Sequence, residues 1–115
     1  MASNELSNEQ IEVFGACLRA AASGPFFPDS EFETLIGLDR EAVTAIAERW
    51  PHLDFGARDV VLALNNSIVN LLGYPHGCES AWSDRIPTTP ERLRDLFSQW
   101  RRVSRCDDVD DSAAR

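Results

Sequence analysis

The chain is expected to be all-α: a single compact domain of about five helices around one central, largely apolar helix. Three observations lead there. Apolar residues recur at helical spacing along most of the 115 residues. No stretch alternates at period two in the manner of a half-buried strand. Residues 60–78 hold no formally charged side chain, in a protein of which 26% is charged. That run opens as VVLALNNSIVNLL, apolar on most of its circumference, and such a helix belongs inside a fold with the rest wrapped around it.

Each element has its own signal. Ser7-x-x-Gln10 forms a capping box that starts the first helix, and Ile11, Phe14, Leu18 and Ala21 share one face of it. Gly24-Pro25 stops it, and Phe26-Phe27-Pro28 reads as an aromatic linker tucked against the core. A short helix capped by Asp29 follows, apolar at Phe32, Leu35 and Ile36 and ended by Gly37. Asp39 caps a third, from Arg40 to about Trp50, with Val43, Ile46, Ala47 and Trp50 at i, i+3, i+4 and i+7. Pro51 ends it, since the residue before a proline avoids the helical region.

The central helix runs from about residue 57 to 72. Val60, Val61, Leu64, Ile68, Leu71 and Leu72 cover one side, with Leu62 and Val69 opposite. Gly73 is expected to close it in the left-handed conformation. Residues 73–89 are a loop long enough to be functional or to hold a helical turn. The last helix opens at Thr88 or Thr89, with Pro90 in its first turn and Glu91 completing Thr-x-x-Glu. Its buried face is Leu93, Leu96, Phe97, Trp100 and Val103. Residues 1–105 make one helical domain, and 106–115, CDDVDDSAAR, an acidic disordered tail.

Composition narrows the function classes. A net charge of −8 argues against nucleic acid, whose phosphates demand basic surface. It suits solubility or a partner with a basic surface. All eleven basic residues are arginine, a usage that points to a GC-rich bacterial genome and leaves no lysine for a Schiff base or a P-loop. Cys17, Cys78 and Cys106 are an odd number without repeated spacing, which reads as reduced thiols. The opening residues show no basic segment followed by an apolar run, and 60–72 is too short and too rich in asparagine to span a membrane. A cytoplasmic location is therefore expected, without membrane association.

Five residues stand out as candidates for binding: Asn66, Asn70, Tyr74, His76 and Trp82. Asparagine is a poor helix former, so Asn65, Asn66 and Asn70 within six residues are a cost that something must offset. Asn66 and Asn70, at i and i+4, either present two amides to a ligand or bond the backbone of a neighbouring segment. The turn Gly73-Tyr74-Pro75-His76-Gly77 aims Tyr74 and His76, and a loop imidazole of this kind is expected to add little to the core. His76 and Cys78, with His52 or Cys106, match no usual zinc spacing, so no metal or other cofactor is expected. Arg94, Arg101 and Arg105 align on the last helix, where they either grip an anionic partner or complement the helix dipole and the aspartates beyond. No phosphate loop, G-x-S-x-G or H-E-x-x-H is present, and no catalytic residue is nominated.

The run NNSIVNLLGYPHG, with FFPDSEFETLIGLDREAV before it, resembles a group of small bacterial proteins of uncharacterised activity. The resemblance covers residues 26 to about 102. It implies a bacterial origin and a single compact domain, and it carries no catalytic role onto any residue.

Two function classes follow. The first is a small acidic cytoplasmic protein–protein interaction module of inhibitor, adaptor or immunity type, anchored by loop aromatics. The second is a small enzyme or small-molecule-binding protein with its site between helix 57–72 and loop 73–89. A homodimer is a separate expectation, because five short helices leave part of the apolar central helix uncovered.

Overall fold

A computed structural model of the chain describes residues 6–74 and 76–113, with side chains through residue 102. Six helices and no strand are found among them: α1 Asn8–Ser23, α2 Asp29–Ile36, α3 Arg40–Arg49, α4 Arg58–Gly73, α5 Trp82–Arg85 and α6 Pro90–Ala113. A 3₁₀ turn, Glu79–Ala81, leads into α5, so the long loop does hold helical turns. The all-α reading holds, with one more helix than expected.

The N-terminal capping box is fully formed. Ser7 Oγ accepts from the Gln10 amide at 3.0 Å, and Gln10 Oε1 accepts from Ser7 N–H at 2.9 Å. Gln10 then does a second job: its Nε2 donates to the Leu96 carbonyl oxygen of α6 at 3.1 Å. Arg92 of α6 adds an ion pair to Glu9 at 2.7 Å. These contacts tie the first helix to the last.

α4 sits at the centre of the packing, against α1, α2, α3 and α6, and α1 in turn packs on α3, α4 and α5. The core between them holds Phe14, Leu18, Leu64, Ile68, Ile36 and Val43, all essentially without solvent contact. Each such side chain contributes about 1.5–3 kcal/mol relative to exposure. Small residues on α1 let its neighbours close in. Trp50 lies over Gly15, and its indole N–H donates to the Ile11 carbonyl oxygen at 2.8 Å.

Several local expectations give way to tertiary contacts. Asp29 does not cap α2, whose N-cap is Pro28; its carboxylate instead pairs with Arg40 at 2.9 Å. The same guanidinium donates to the Ala22 and Phe27 carbonyl oxygens at 2.7 and 2.9 Å, which settles where the aspartate goes. Gly73 is not left-handed. It is the last residue of α4, and Tyr74 leaves the helix in extended conformation. Gly37, at φ 88°, is the left-handed helix end. Thr89, not Thr88, caps α6, its Oγ1 accepting from Arg92 N–H at 3.1 Å, so the box with Glu91 does not form. The backbone of α6 runs to Ala113, and the side chains of residues 106–115, expected to be an acidic disordered tail, lie outside those described.

The expected apolar girdle of α4 is also incomplete. Val60, Leu64, Ile68 and Leu71 are buried as expected, yet Val61 is 37% exposed and Val69 41%. The helix is covered on its inner side and open on its outer one.

Candidate binding site

The segment that carries Tyr74, His76 and Trp82 is laid over the aromatic linker. Phe26 and Phe27, nearly fully buried, form its floor. The His76 ring meets Phe26 edge-on at 4.9 Å between centroids, Trp82 meets Phe26 at 6.3 Å, and Tyr74 meets Phe27 at 5.8 Å. Edge-to-face contacts of this kind add to the area each ring already buries. Three of the five candidate residues therefore rest on two phenylalanines that the sequence placed in a linker.

The asparagines turn towards the protein's own backbone. Asn66 Nδ2 donates to the Ile36 carbonyl oxygen at 2.7 Å. Asn70 Nδ2 donates to the Leu35 carbonyl oxygen at 3.1 Å and to Asn66 O at 2.8 Å. Asn65 completes the set by donating to Asn66 Oδ1 at 3.0 Å. The last carbonyls of α2 have no partner within their own helix. Side-chain amides from α4 supply one, so the backbone-bonding role explains these residues.

His76 is held on both ring nitrogens. Nδ1 accepts from Cys78 N–H at 2.9 Å, which leaves Nε2 to donate to the Leu71 carbonyl oxygen at 3.1 Å. The ring thus bridges the end of α4 and the next turn, a larger structural part than a loop imidazole was expected to play. Tyr74 O–H donates to Glu31 Oε1 at 2.7 Å, and this bond, reinforced by the carboxylate's charge, holds the phenol above its ordinary range. His76 and Cys78 recruit no further ligand: among the described residues no three of His, Cys, Asp and Glu gather around one point.

Trp82 is different. Its indole N–H donates to the Thr88 carbonyl oxygen at 2.7 Å, pinning the chain between α5 and α6 into a closed loop. The outer edge of the ring then lines a cleft of about 600 Å³, together with Ile86, Pro87, Pro90, Ser83 and Glu79. Two prolines on the far wall have fixed φ, so this wall keeps its shape. The surface is almost wholly apolar and carries one acidic group at its rim.

Asn66, Asn70, Tyr74 and His76 line neither this cleft nor two smaller depressions of about 240 and 430 Å³. Of the five candidates, Trp82 alone lines one of these three cavities. Ile86, Pro87 and Pro90 were missed as site residues, although the density of apolar and proline residues in WSDRIPTTP was a usable signal. Arg101 lies over the Phe97 ring at 5.4 Å, and Arg105 falls outside the described side chains.

No helix among the described residues is long and apolar enough to cross a membrane. Comparison of the chain with protein-family models, with curated proteins and with solved structures finds no match.

Proposed function

We propose that this chain is a small protein–protein interaction module that takes a short apolar segment, flanked by basic residues, into the cleft between α5 and the start of α6. One observation carries the reading: a preformed apolar cleft, walled by Trp82 and two prolines, opens on the surface of a protein of net charge −8. A rigid apolar wall loses little freedom on binding, and an acidic surround selects a basic partner and speeds its approach. Between residues 79 and 91 the chain carries Glu79, Asp84 and Glu91 against Arg85 alone.

The compartment fits the cytoplasm. Cys17 and Cys78 are both free thiols, and burial pushes the Cys17 thiol well up from its ordinary range, which keeps it inert. Arginine-only basic usage supports a bacterial source. The small-molecule reading loses support from the same geometry, because the amides it relied on are spent on α2.

Selection from a random peptide display library on the immobilised protein tests the proposal. Enriched peptides should place a bulky apolar residue beside Arg or Lys, and should shift the Trp82 indole resonance in a ¹H–¹⁵N spectrum. Pro87→Glu, an exposed change on the cleft wall, should abolish that binding with the fold intact. An absence of enriched sequences, or shifts confined to other faces, would reject the cleft as the binding site.

A further inference from the structure

We propose that the outer face of α4 is a self-association surface, on which two copies of this chain meet antiparallel across a two-fold axis beside Asn65. At 100° per residue, Arg58, Val61, Leu62, Asn65, Val69 and Leu72 fall within an arc of about 100°. Val61 and Val69 are the exposed large hydrophobics of the described surface.

The face holds both a hole and a knob. A depression of about 430 Å³ is lined by Arg58, Val61, Leu62 and Asn65, with Gly56 at its edge. Those four are i, i+3, i+4 and i+7, the diamond that receives a side chain from a facing helix. The knob is Val69, 41% exposed and four residues beyond Asn65, about 6 Å along the axis. The centre of the diamond lies nearly as far on the other side of Asn65. A two-fold axis there carries each Val69 into the other copy's depression, so one operation satisfies both copies, as an isologous interface requires.

Charge selects both the face and the orientation. Two molecules of net charge −8 repel wherever their acidic surfaces meet. That arc contains no acidic residue, and Asp59, the one acid of α4, lies about 100° round the helix from Arg58. In a parallel pair Arg58 would face its own copy. In the antiparallel pair it reaches the C-terminal end of the opposite α4, the negative end of the helix dipole, with the Glu31 carboxylate that Tyr74 holds nearby. Asn65 then meets Asn65, a polar pair in an apolar seam, which fixes register.

The face of a single helix is smaller than the ~800 Å² per partner of a standard interface, so association belongs to concentrations above about 1 µM. The face lies on a different helix from the cleft, and the two proposals stand or fall separately. Sedimentation equilibrium should show the mass rising from 12.8 kDa towards twice that value with concentration, and Val69→Asp should hold it at 12.8 kDa with an unchanged helical spectrum. Mild oxidation followed by peptide mass analysis then reads the geometry, separately from bridges through the native cysteines. Asn65→Cys should give a 65–65 bridge. Val61→Cys should give none with itself but should bridge to Val69→Cys in a mixture, since disulfides need Cα atoms within about 7 Å. A mass of 12.8 kDa up to about 1 mM, dimers that survive Val69→Asp, or 61–61 bridges as strong as 65–65 would each overturn the proposal.

Discussion

The side-chain amide of Asn66 closes the end of α2: its Nδ2 donates to the Ile36 carbonyl oxygen at 2.7 Å, across thirty residues of chain. The last carbonyls of a helix find no donor within it and must be met by water or by a neighbour. Here the neighbouring helix reaches over to satisfy them, and Asn70 repeats the contact one turn further along. These polar bonds join α2 to α4 beside their packing contact.

Removing that bond should therefore cost stability and not merely a ligand. Asn66→Ala leaves the partly buried Ile36 carbonyl without its donor, at an expected cost of about 0.5–1.5 kcal/mol. Urea unfolding should show a lower midpoint with an unchanged slope. A loss under about 0.5 kcal/mol would mean that the amide is dispensable to the fold.

Gly15 is required by the ring packed on it. A β-carbon there would lie 2.5 Å from Trp50 Cδ1 and 2.7 Å from its Nε1. Gly15→Ala must push the indole off α1 and break its bond to the Ile11 carbonyl, despite the better helix propensity of alanine. The expected loss is about 1–3 kcal/mol, with a changed Trp fluorescence in the native state.

Gly37 and Gly73 should respond in opposite directions. Gly37 holds φ 88°, and its β-carbon would crowd Leu62 Cδ2 at 3.3 Å, so Gly37→Ala should destabilise by about 1 kcal/mol or more. Gly73 is helical, and a β-carbon there meets nothing within 4 Å. Gly73→Ala should stabilise by roughly 0.5–1 kcal/mol, through propensity and a stiffer unfolded chain. Thermal melts of the two variants, run side by side, check the sign of each.

His76→Ala should weaken the fold by about 1–2 kcal/mol, because it removes a donor from Leu71 O and an acceptor from Cys78 N–H. Hydrogen exchange should rise first at the Cys78 amide. If that amide is no faster in the variant, the ring does not hold the turn.

Ser67 offers a gain. It is fully buried on α4, and its Oγ has no hydrogen-bond partner among the described residues. Ser67→Ala removes an unsatisfied hydroxyl and improves helix propensity, for an expected stabilisation of about 0.5–2 kcal/mol. A drop in melting temperature would show that the hydroxyl is bonded after all.

Much of the architecture was legible in the chain because it depends on neighbours in sequence. Helical periodicity, the Ser7–Gln10 box, the Asp39 cap and the Gly37 end are all decided within four residues, and all are found. The burial of Phe26 and Phe27 also follows from composition, since no linker leaves two adjacent phenylalanines in water at no cost.

What the sequence alone could not decide is which of two available partners a side chain takes. Asp29 was free to cap its own helix, but Arg40, anchored on Ala22 and Phe27, draws the carboxylate away. Asn66 and Asn70 were equally suited to a ligand or to a backbone, and the approach of α2 settled the choice. Val61 and Val69 look as apolar as Leu64 and Ile68, yet only the packing of α1, α2, α3 and α6 around α4 determines which side stays open. Local signals specify elements because their interactions close within a turn of helix. The cleft and the open face of α4 arise from how helices distant in sequence come together, and periodicity carries no information about that.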